Sequence, residues 1–327
     1  MDLSTEVIVC TYNGSAFITE QLKSLLKQTR CVDKISIYDD QSTDDTVRRI
    51  QDFISRQTFD DRRLFSLQVN PVNVGYARNY CNAIAKATKD LLFLCDQDDV
   101  WESQKVERLL DVFNQYNADM AFSDGTLIDQ SGQALRGKLR GKTVLQSYGI
   151  TDLSLTGFKS NAFQFLIRRN YINGAAMAIR RSAAQAAMPL PCDMPHDYWL
   201  AIWCSLHDGI VGTPQTLYRY RQHANNAVGI GPSSFLYELL GVWKHSNMPR
   251  HRELRIWKSV IDRIAGLPRK SEVAAAQRKL EWLSLIVTDD KRSLTRAFEV
   301  VKSVFNGNYG TYSTMNACLR DIMSFFR

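Results

Sequence analysis

Three carboxylates, Asp96, Asp98 and Asp99, stand within four residues, directly after the apolar run Leu91–Leu94. Carboxylates this close repel one another unless something positive lies between them. A divalent cation such as Mg²⁺ or Mn²⁺, which prefers hard oxygen ligands, relieves that repulsion. In extended chain Asp96 and Asp98 project to the same side, so one can face a metal while the other faces a ligand hydroxyl or the same ion. An Asp-x-Asp at the carboxyl end of a buried strand is also where open α/β sheets bind ligands. Asp99 reads differently, as the cap of a helix that starts near Val100.

The elements that must position these groups alternate in type. Val7–Cys10, Lys34–Tyr38, Leu64–Val69, Leu91–Cys95 and Met120–Ser123 read as strands. Helical spacing falls between them: Phe17, Ile18, Leu22, Leu25 and Leu26 in Ala16–Thr29, then Val47, Ile50 and Ile54 behind a Thr43 cap, then Gly75–Thr88 and Glu102–Tyr116. Strand–helix alternation predicts a doubly wound, mostly parallel sheet. The polar clusters Thr11–Gly14, Asp39–Ser42 and Asp96–Asp99 each follow a strand and would gather on one edge as a single site. No glycine-rich dinucleotide or P-loop fingerprint is present. Further on, residues 130–158 read as a long loop or lid, Asn173–Arg180 as a strand, His196–Leu206 as a helix, and Gly209–Thr213 and Thr216–Tyr220 as two short strands.

The totals narrow the class. The 327 residues are 45% hydrophobic and 23% charged, the composition of a soluble globular protein. The net charge of +7 is confined to Phe235–Arg327, which holds 16 Lys/Arg against 9 Asp/Glu, while the preceding residues balance at zero. That placement excludes a basic catalytic domain gripping nucleic acid and points to a basic appendage. Seven scattered cysteines without a Cys-x-x-Cys suggest neither a disulfide framework nor a zinc site. Cys10 and Cys95 end apolar runs and are expected to be buried. The opening Met1–Glu6 has no basic region or apolar core of a secretory signal, and no apolar run of membrane-spanning length occurs. A cytoplasmic protein is expected, with peripheral contact at the inner face of the cell membrane open to it.

The order of the motifs resembles the inverting family-2 glycosyltransferases of the GT-A fold. The matching pieces are Val9-Cys10-Thr11-Tyr12-Asn13-Gly14, Tyr38-Asp39-Asp40-Gln41-Ser42-Thr43-Asp44-Asp45-Thr46, Asn73-Val74-Gly75-Tyr76-Ala77-Arg78-Asn79 and Asp96-Gln97-Asp98-Asp99. Asn173-Gly174-Ala175, His196-Asp197-Tyr198-Trp199-Leu200 and Tyr220-Arg221-Gln222-His223-Ala224-Asn225-Asn226 complete the series, which covers roughly residues 5 to 230. Asp96–Trp101 with His196–Trp199 and Tyr220–His223 is similar to the rhamnosyltransferase-like branch that builds bacterial surface polysaccharides, O-antigen or capsule.

The resemblance implies a GT-A catalytic domain over residues 1–232 and a helical C-terminal region over 233–327. It implies a nucleotide-diphospho-sugar donor, dTDP-rhamnose or a UDP-hexose, and a saccharide acceptor that is lipid-linked. Thr11, Tyr12, Asn13 and Asp40 would hold the nucleoside, with Asp40 accepting the N3–H of uracil or thymine. Arg78 would meet the diphosphate and Asp96 the ribose or metal. Asp98 matches the ligand of Mn²⁺ or Mg²⁺, and His223 matches a late histidine that completes its shell. Asp197 matches the general base, although His196 replaces the usual acidic residue before it. His196 and Trp199 would touch the acceptor. Two other classes stay open: a sugar-nucleotide nucleotidyltransferase, against which Thr11–Ser15 offers one Gly and no Lys or Arg, and a non-catalytic nucleotide- or carbohydrate-binding partner.

Five amphipathic segments follow Gly231-Pro232. Leu236, Leu239, Leu240 and Trp243 share one helical face, and Leu254, Trp257, Ile261 and Ile264 another, both with basic borders. Such faces suit an anionic membrane surface or packing within the protein.

Overall fold

The computed structural model describes residues 3–135, 141–150, 162–191, 193–223, 248–287, 294–313, 317–318 and 321–322. They fall in two compact units. The first comprises residues 1–162, 171–190 and 195–230, and the second residues 163–170, 191–194 and 231–327.

The first unit is an α/β unit. Its strands are β1 (Thr5–Thr11), β2 (Lys34–Asp39), β3 (Phe65–Val69), β4 (Leu91–Asp96), β5 (Val100–Trp101), β6 (Met120–Ile128), β7 (Met177–Arg180) and β8 (Ile210–Arg221). They form one mixed sheet in the order 3-2-1-4-7-6-8-5. The four strands 3-2-1-4 are parallel. Val7–Val9 and Leu91–Cys95 are fully buried, as expected of central strands covered on both faces. Between them run the crossover helices α1 (Ile18–Leu26), α2 (Thr46–Ser55) and α4 (Tyr76–Lys86), with α3 (Phe59–Leu64) leading into β3. Beyond β4 the sheet changes direction: β7 is antiparallel to both β4 and β6, while β6 and β8 are parallel. Helices α5 (Lys105–Gln115), α6 (Val144–Ser147), α7 (Arg181–Ala186) and α8 (His196–Ser205) complete this unit.

Several sequence expectations change. Asp99 caps no helix, because Val100–Trp101 pairs with β8 as a strand and α5 begins only at Lys105. Thr43 does not cap α2, which starts at Thr46 behind Asp45. The two short strands after Gly209 are one strand, β8, with a bulge against β6. Residues 130–158 are not wholly loop. They include α6, held by a capping box in which Thr143 and Gln146 each bond the other's backbone N–H. Cys95 is buried and Cys10 partly so, both as free thiols.

The second unit is helical: α9 (Met248–Ile264), α10 (Lys270–Ile286), α11 (Leu294–Phe305) and α12 (Asn308–Tyr312). Trp257, Val260 and Ile264 are buried with Trp282, Leu283 and Val300. The face expected around Trp257 and Ile264 is therefore packed within this unit and not offered to a membrane. The segment Leu236–Trp243 lies outside the described residues. Charged groups are buried here in partnership. Arg250 donates to Asp321 (2.8 Å) and Glu253 (2.6 Å), and Lys279 bridges Glu253 (2.7 Å) and the Ile167 carbonyl (2.7 Å). Among the described residues no helix is long and apolar enough to cross a membrane.

Glu6 anchors the start of the sheet from a fully buried position in β1. It accepts from the Thr88 N–H (2.9 Å) and the Ser36 hydroxyl (2.7 Å) and pairs with Lys34 (3.0 Å). Burial alone would raise its pKa, but these donors outweigh it and hold the carboxyl below its ordinary 4.5. Glu6→Gln is expected to cost about 1–3 kcal/mol at neutral pH, the scale for a charged hydrogen bond in the interior. The gap to the wild type should close as pH falls below 4.5, because a carboxyl with a depressed folded pKa stabilises only while ionised. Urea unfolding across that range measures both effects.

Candidate active site

β1 lies between β2 and β4, with Thr11 opposite Asp39 and Cys10 opposite Asp96. The loops after all three strands therefore open at one edge, beside the point where strand order reverses. Gln97 ties the first loop to the third. Its amide accepts from the Tyr12 N–H (2.9 Å) and donates to the Tyr12 carbonyl (3.0 Å). At Gly14 a Cβ would fall 2.1 Å from Gln97 Oε1, so any larger residue there would displace the Gln97 amide.

The expected nucleoside residues meet at this edge. Buried Thr11 donates to Asp39 Oδ2 (2.7 Å). Asn13, in left-handed backbone at φ 48°, donates its N–H to Ser42 Oγ (2.9 Å) and accepts from the Thr43 N–H (2.8 Å). Tyr12 stays 47% exposed, so its ring is open to a planar ligand. Asp40 is buried and accepts from Asn70 (2.9 Å) and from the backbone N–H groups of Val74 (2.9 Å) and Gly75 (2.8 Å). A carboxylate offers roughly four acceptor positions, which leaves Asp40 room for one more donor. Arg78 stands exposed on the first turn of α4.

The acidic edge is more enclosed. Asp96 accepts from the Tyr80 hydroxyl (2.9 Å). Burial and then the charge of Asp98 push its pKa up to about 7, with Asp197 adding to the shift and the Tyr80 bond opposing it. The pairing of β5 with β8, Val100 opposite Arg219, brings the end of β8 alongside Asp98 and Asp99. His223 Nε2 consequently lies 2.7 Å from Asp98 Oδ2. Asp99 is fully buried; its Oδ1 accepts from the Arg221 N–H (2.9 Å), and its Oδ2 has no partner among the described residues.

A cation fits this donor set. One hard carboxylate oxygen and one imidazole nitrogen meet, with an unpartnered buried carboxylate oxygen on the next residue. No three His, Cys, Asp or Glu side chains form a cage among the described residues. A Mg²⁺-type ion commonly takes one or two protein ligands and completes its shell with phosphate oxygens and water.

Two cations that the motif reading missed hold this edge together. Arg221, with a side chain only 1% exposed, donates to the Asp98 carbonyl (2.7 Å), Glu20 (2.7 Å) and the Gln130 carbonyl (3.2 Å). Its guanidinium lies 4.9 Å from the centre of the Phe17 ring, which in turn sits 4.8 Å from the ring of His223. Lys105 is fully buried, donates to the Ala175 carbonyl and lies over Trp101 (4.2 Å) and Tyr218 (4.9 Å). Burial lowers its pKa to about 8. An Arg two residues before a candidate metal histidine was the one available signal. Nothing local marks Lys105.

Helix α8 opens with His196 behind Pro195, so Asp197 is not its cap; Asp197 is half-buried and accepts from the Tyr198 N–H (2.7 Å). His196 is buried and stacks on Tyr80 with ring centres 3.8 Å apart. Burial pushes its pKa down to about 3, so the ring stays neutral. Trp199 is fully buried and donates to the Ala187 carbonyl (2.7 Å). Both rings lie in the interior, and neither ring nitrogen of His196 has a hydrogen-bond partner among the described residues.

An open α/β sheet with a polar, carboxylate-rich site at its strand ends defines a ligand-binding α/β domain. The chain belongs to glycosyl transferase family 2, whose profile matches residues 6–186. The uncharacterized protein Rv1520 of Mycobacterium tuberculosis is 24% identical over 222 residues, 67% of this chain and 59% of that protein. The dTDP-rhamnosyl transferase RfbG of Shigella flexneri is 32% identical over 114 residues, 33% of this chain and 38% of that protein. The chain thus spans less than two thirds of the length of either relative. Among solved structures, Staphylococcus aureus TarS residues 1–349 with UDP-GlcNAc superposes with a TM-score of 0.54 at 14% identity, covering 99% of this chain and 89% of that one. The mannosyltransferase PcManGT of Pyrobaculum calidifontis, with GDP-Man and Mn²⁺, gives 0.53 at 14% identity, covering 100% and 88%. These likenesses establish the fold.

Arg221→Met should destabilise the protein by about 2–4 kcal/mol, since buried carbonyls lose their donor. Arg221→Lys, which keeps the charge, should recover part of that loss. Thermal unfolding of both variants measures it.

Proposed function

We propose that the chain transfers a sugar from a nucleotide-diphospho-sugar to a saccharide acceptor, with inversion at the anomeric carbon, in bacterial surface-polysaccharide synthesis. The observation that carries this reading is the pairing of Asp98 with His223 at 2.7 Å, on the same sheet edge as Asp96 and the Thr11–Asn13 loop. Family membership and the rhamnosyl donor named for the Shigella relative support dTDP-rhamnose, with a UDP-hexose as the second donor class.

Residues 1–232 are the proposed catalytic domain and 233–327 its helical accompaniment. Exposed Tyr12 stacks on the base, and the remaining acceptor position of Asp40 takes an imide N–H. Thr11 and Asn13 shape the loop that receives the nucleoside. Arg78 neutralises phosphate charge, and Asp96 meets the ribose. Asp98 and His223 would hold Mn²⁺ or Mg²⁺, which when bound supplies positive charge to the departing diphosphate. Asp197 takes the proton of the attacking acceptor hydroxyl, leaving the donor's anomeric carbon open to direct displacement from the opposite face. His196, neutral beside it, adds no charge that would lower the basicity of Asp197. A lipid-linked acceptor would place the work at the inner face of the cell membrane.

Free nucleoside diphosphate as product separates this reading from nucleotide-sugar synthesis, which releases pyrophosphate, and from a binding role, which releases neither. Asp98→Ala should abolish Mn²⁺-dependent donor binding by removing a hard oxygen ligand. Thermal shift with each nucleotide-sugar, with and without Mn²⁺, reads this directly. Asp197→Asn should leave donor affinity near normal and lower turnover by about 10² or more. Unchanged turnover in Asp197→Asn would move the base elsewhere.

A further inference from the structure

Helix α11 carries its polarity the wrong way round for a helix in water. Its inner side presents Arg296, Val300 and Ser303. Val300 is fully buried, Arg296 donates to the Ile286 carbonyl (3.0 Å), and Ser303 Oγ accepts from the Trp282 indole (2.9 Å). Its outer side presents Phe298 at 65% exposure, Val301 at 51%, Val304 at 41% and Phe305 at 85%. The spacing of Phe298, Val301 and Phe305 places them on one stripe of the helix. Soluble helices show the reverse arrangement, with apolar residues inward and charged residues outward. Single exposed apolar residues are ordinary, but a continuous row marks an interaction surface. Leu285, 53% exposed, adds to the apolar surface on α10, the helix against which α11 packs.

Charge selects the partner. Residues 235–327 carry the whole net charge of +7. Within the stripe Lys302 is 52% exposed, with its ammonium 3.6 Å from the less exposed Glu299, and in the sequence Lys291 and Arg292 follow Asp289 and Asp290 before α11 while Arg320 and Arg327 come after it. A second copy brought face to face would set one +7 region against another. An anionic bilayer attracts the same charges, each basic residue near the surface contributing favourably, and its headgroup boundary receives phenylalanine side chains.

We infer that the outer face of α11 docks on an anionic lipid surface, with Phe298 and Phe305 entering the headgroup boundary and Lys302 meeting lipid phosphate. This surface lies on one of the five amphipathic segments, apart from the faces of Leu236–Trp243 and Leu254–Ile264, and the inference stands apart from the chemistry assigned to Asp98 and Asp197.

The test is co-sedimentation of the full chain with phosphatidylcholine vesicles and with vesicles rich in phosphatidylglycerol, at low and high salt. Binding is expected on the anionic vesicles and should weaken with salt, because exposed charges are screened. The double variant Phe298→Asp with Phe305→Asp should lower partitioning at least about tenfold, the scale for keeping two phenylalanyl side chains out of an apolar medium. Both positions are exposed, so its thermal unfolding and its nucleoside diphosphate release in solution should match the wild type. Lys302→Glu, a second and milder change, should reduce binding most at low salt. Equal binding by the double variant, equal binding to neutral vesicles, or no binding at low salt would overturn the inference. So would light scattering that shows a wild-type dimer dissolved by the double variant. Each of these outcomes leaves the nucleotide reading to its own assay.

Discussion

Three carboxylates held together where water is mostly excluded set the terms for everything at this sheet edge. Their mutual repulsion is opposed from several directions. Arg221 lies behind the loop, its guanidinium bonded to the Asp98 carbonyl and its own N–H to Asp99. Lys105 supplies a second positive charge from the interior, and the Tyr80 hydroxyl meets Asp96. Each partner comes from a different element, so the loop geometry depends on the sheet being complete. Removing any one partner exposes the cluster to its own field, which in a low-dielectric setting is far stronger than in water.

The parallel half of the sheet and its strand-end site were legible in the sequence because local patterns encode them. Val7–Val9 and Leu91–Cys95 read as buried strands and are fully buried. The Thr11, Asp40 and Asp96 clusters fall at one edge as parallel topology requires. Misreadings came where tertiary pairing overrides local preference. Asp99 has the composition of a helix cap, yet the residues after it are drawn into pairing with β8, whose partner residues lie more than a hundred positions away. Arg221 stood in a quoted motif without a role and Lys105 had no local mark, because a charged side chain in a sequence reads as solvated surface. Only the fold reveals that both are buried and partnered.

The helical unit shows the same dependence of charge on surroundings. Arg250, Glu253, Lys279 and Asp321 form a buried network in which each charge has an opposite neighbour. Such networks add little net stability over apolar packing of equal volume, but breaking one partner is costly. Basic residues counted in the sequence therefore divide into two populations. Arg250 and Lys279 are internal fixtures, whereas Lys302 lies half-exposed beside Glu299 at the surface.

The reciprocal bond between the Gln97 amide and the Tyr12 backbone has a mechanical consequence. A side chain that accepts from the N–H and donates to the carbonyl of one residue grips the two peptide groups on either side of its Cα and resists their rotation. The Thr11–Gly14 loop and the acidic loop are thereby tied to each other, with Gly14 as the clearance that lets the tie close. Moving the two loops apart costs both of these hydrogen bonds, about 1 kcal/mol each. A larger residue at position 14 would displace the Gln97 amide and loosen this tie, whereas a smaller residue at position 97 would remove it without a clash.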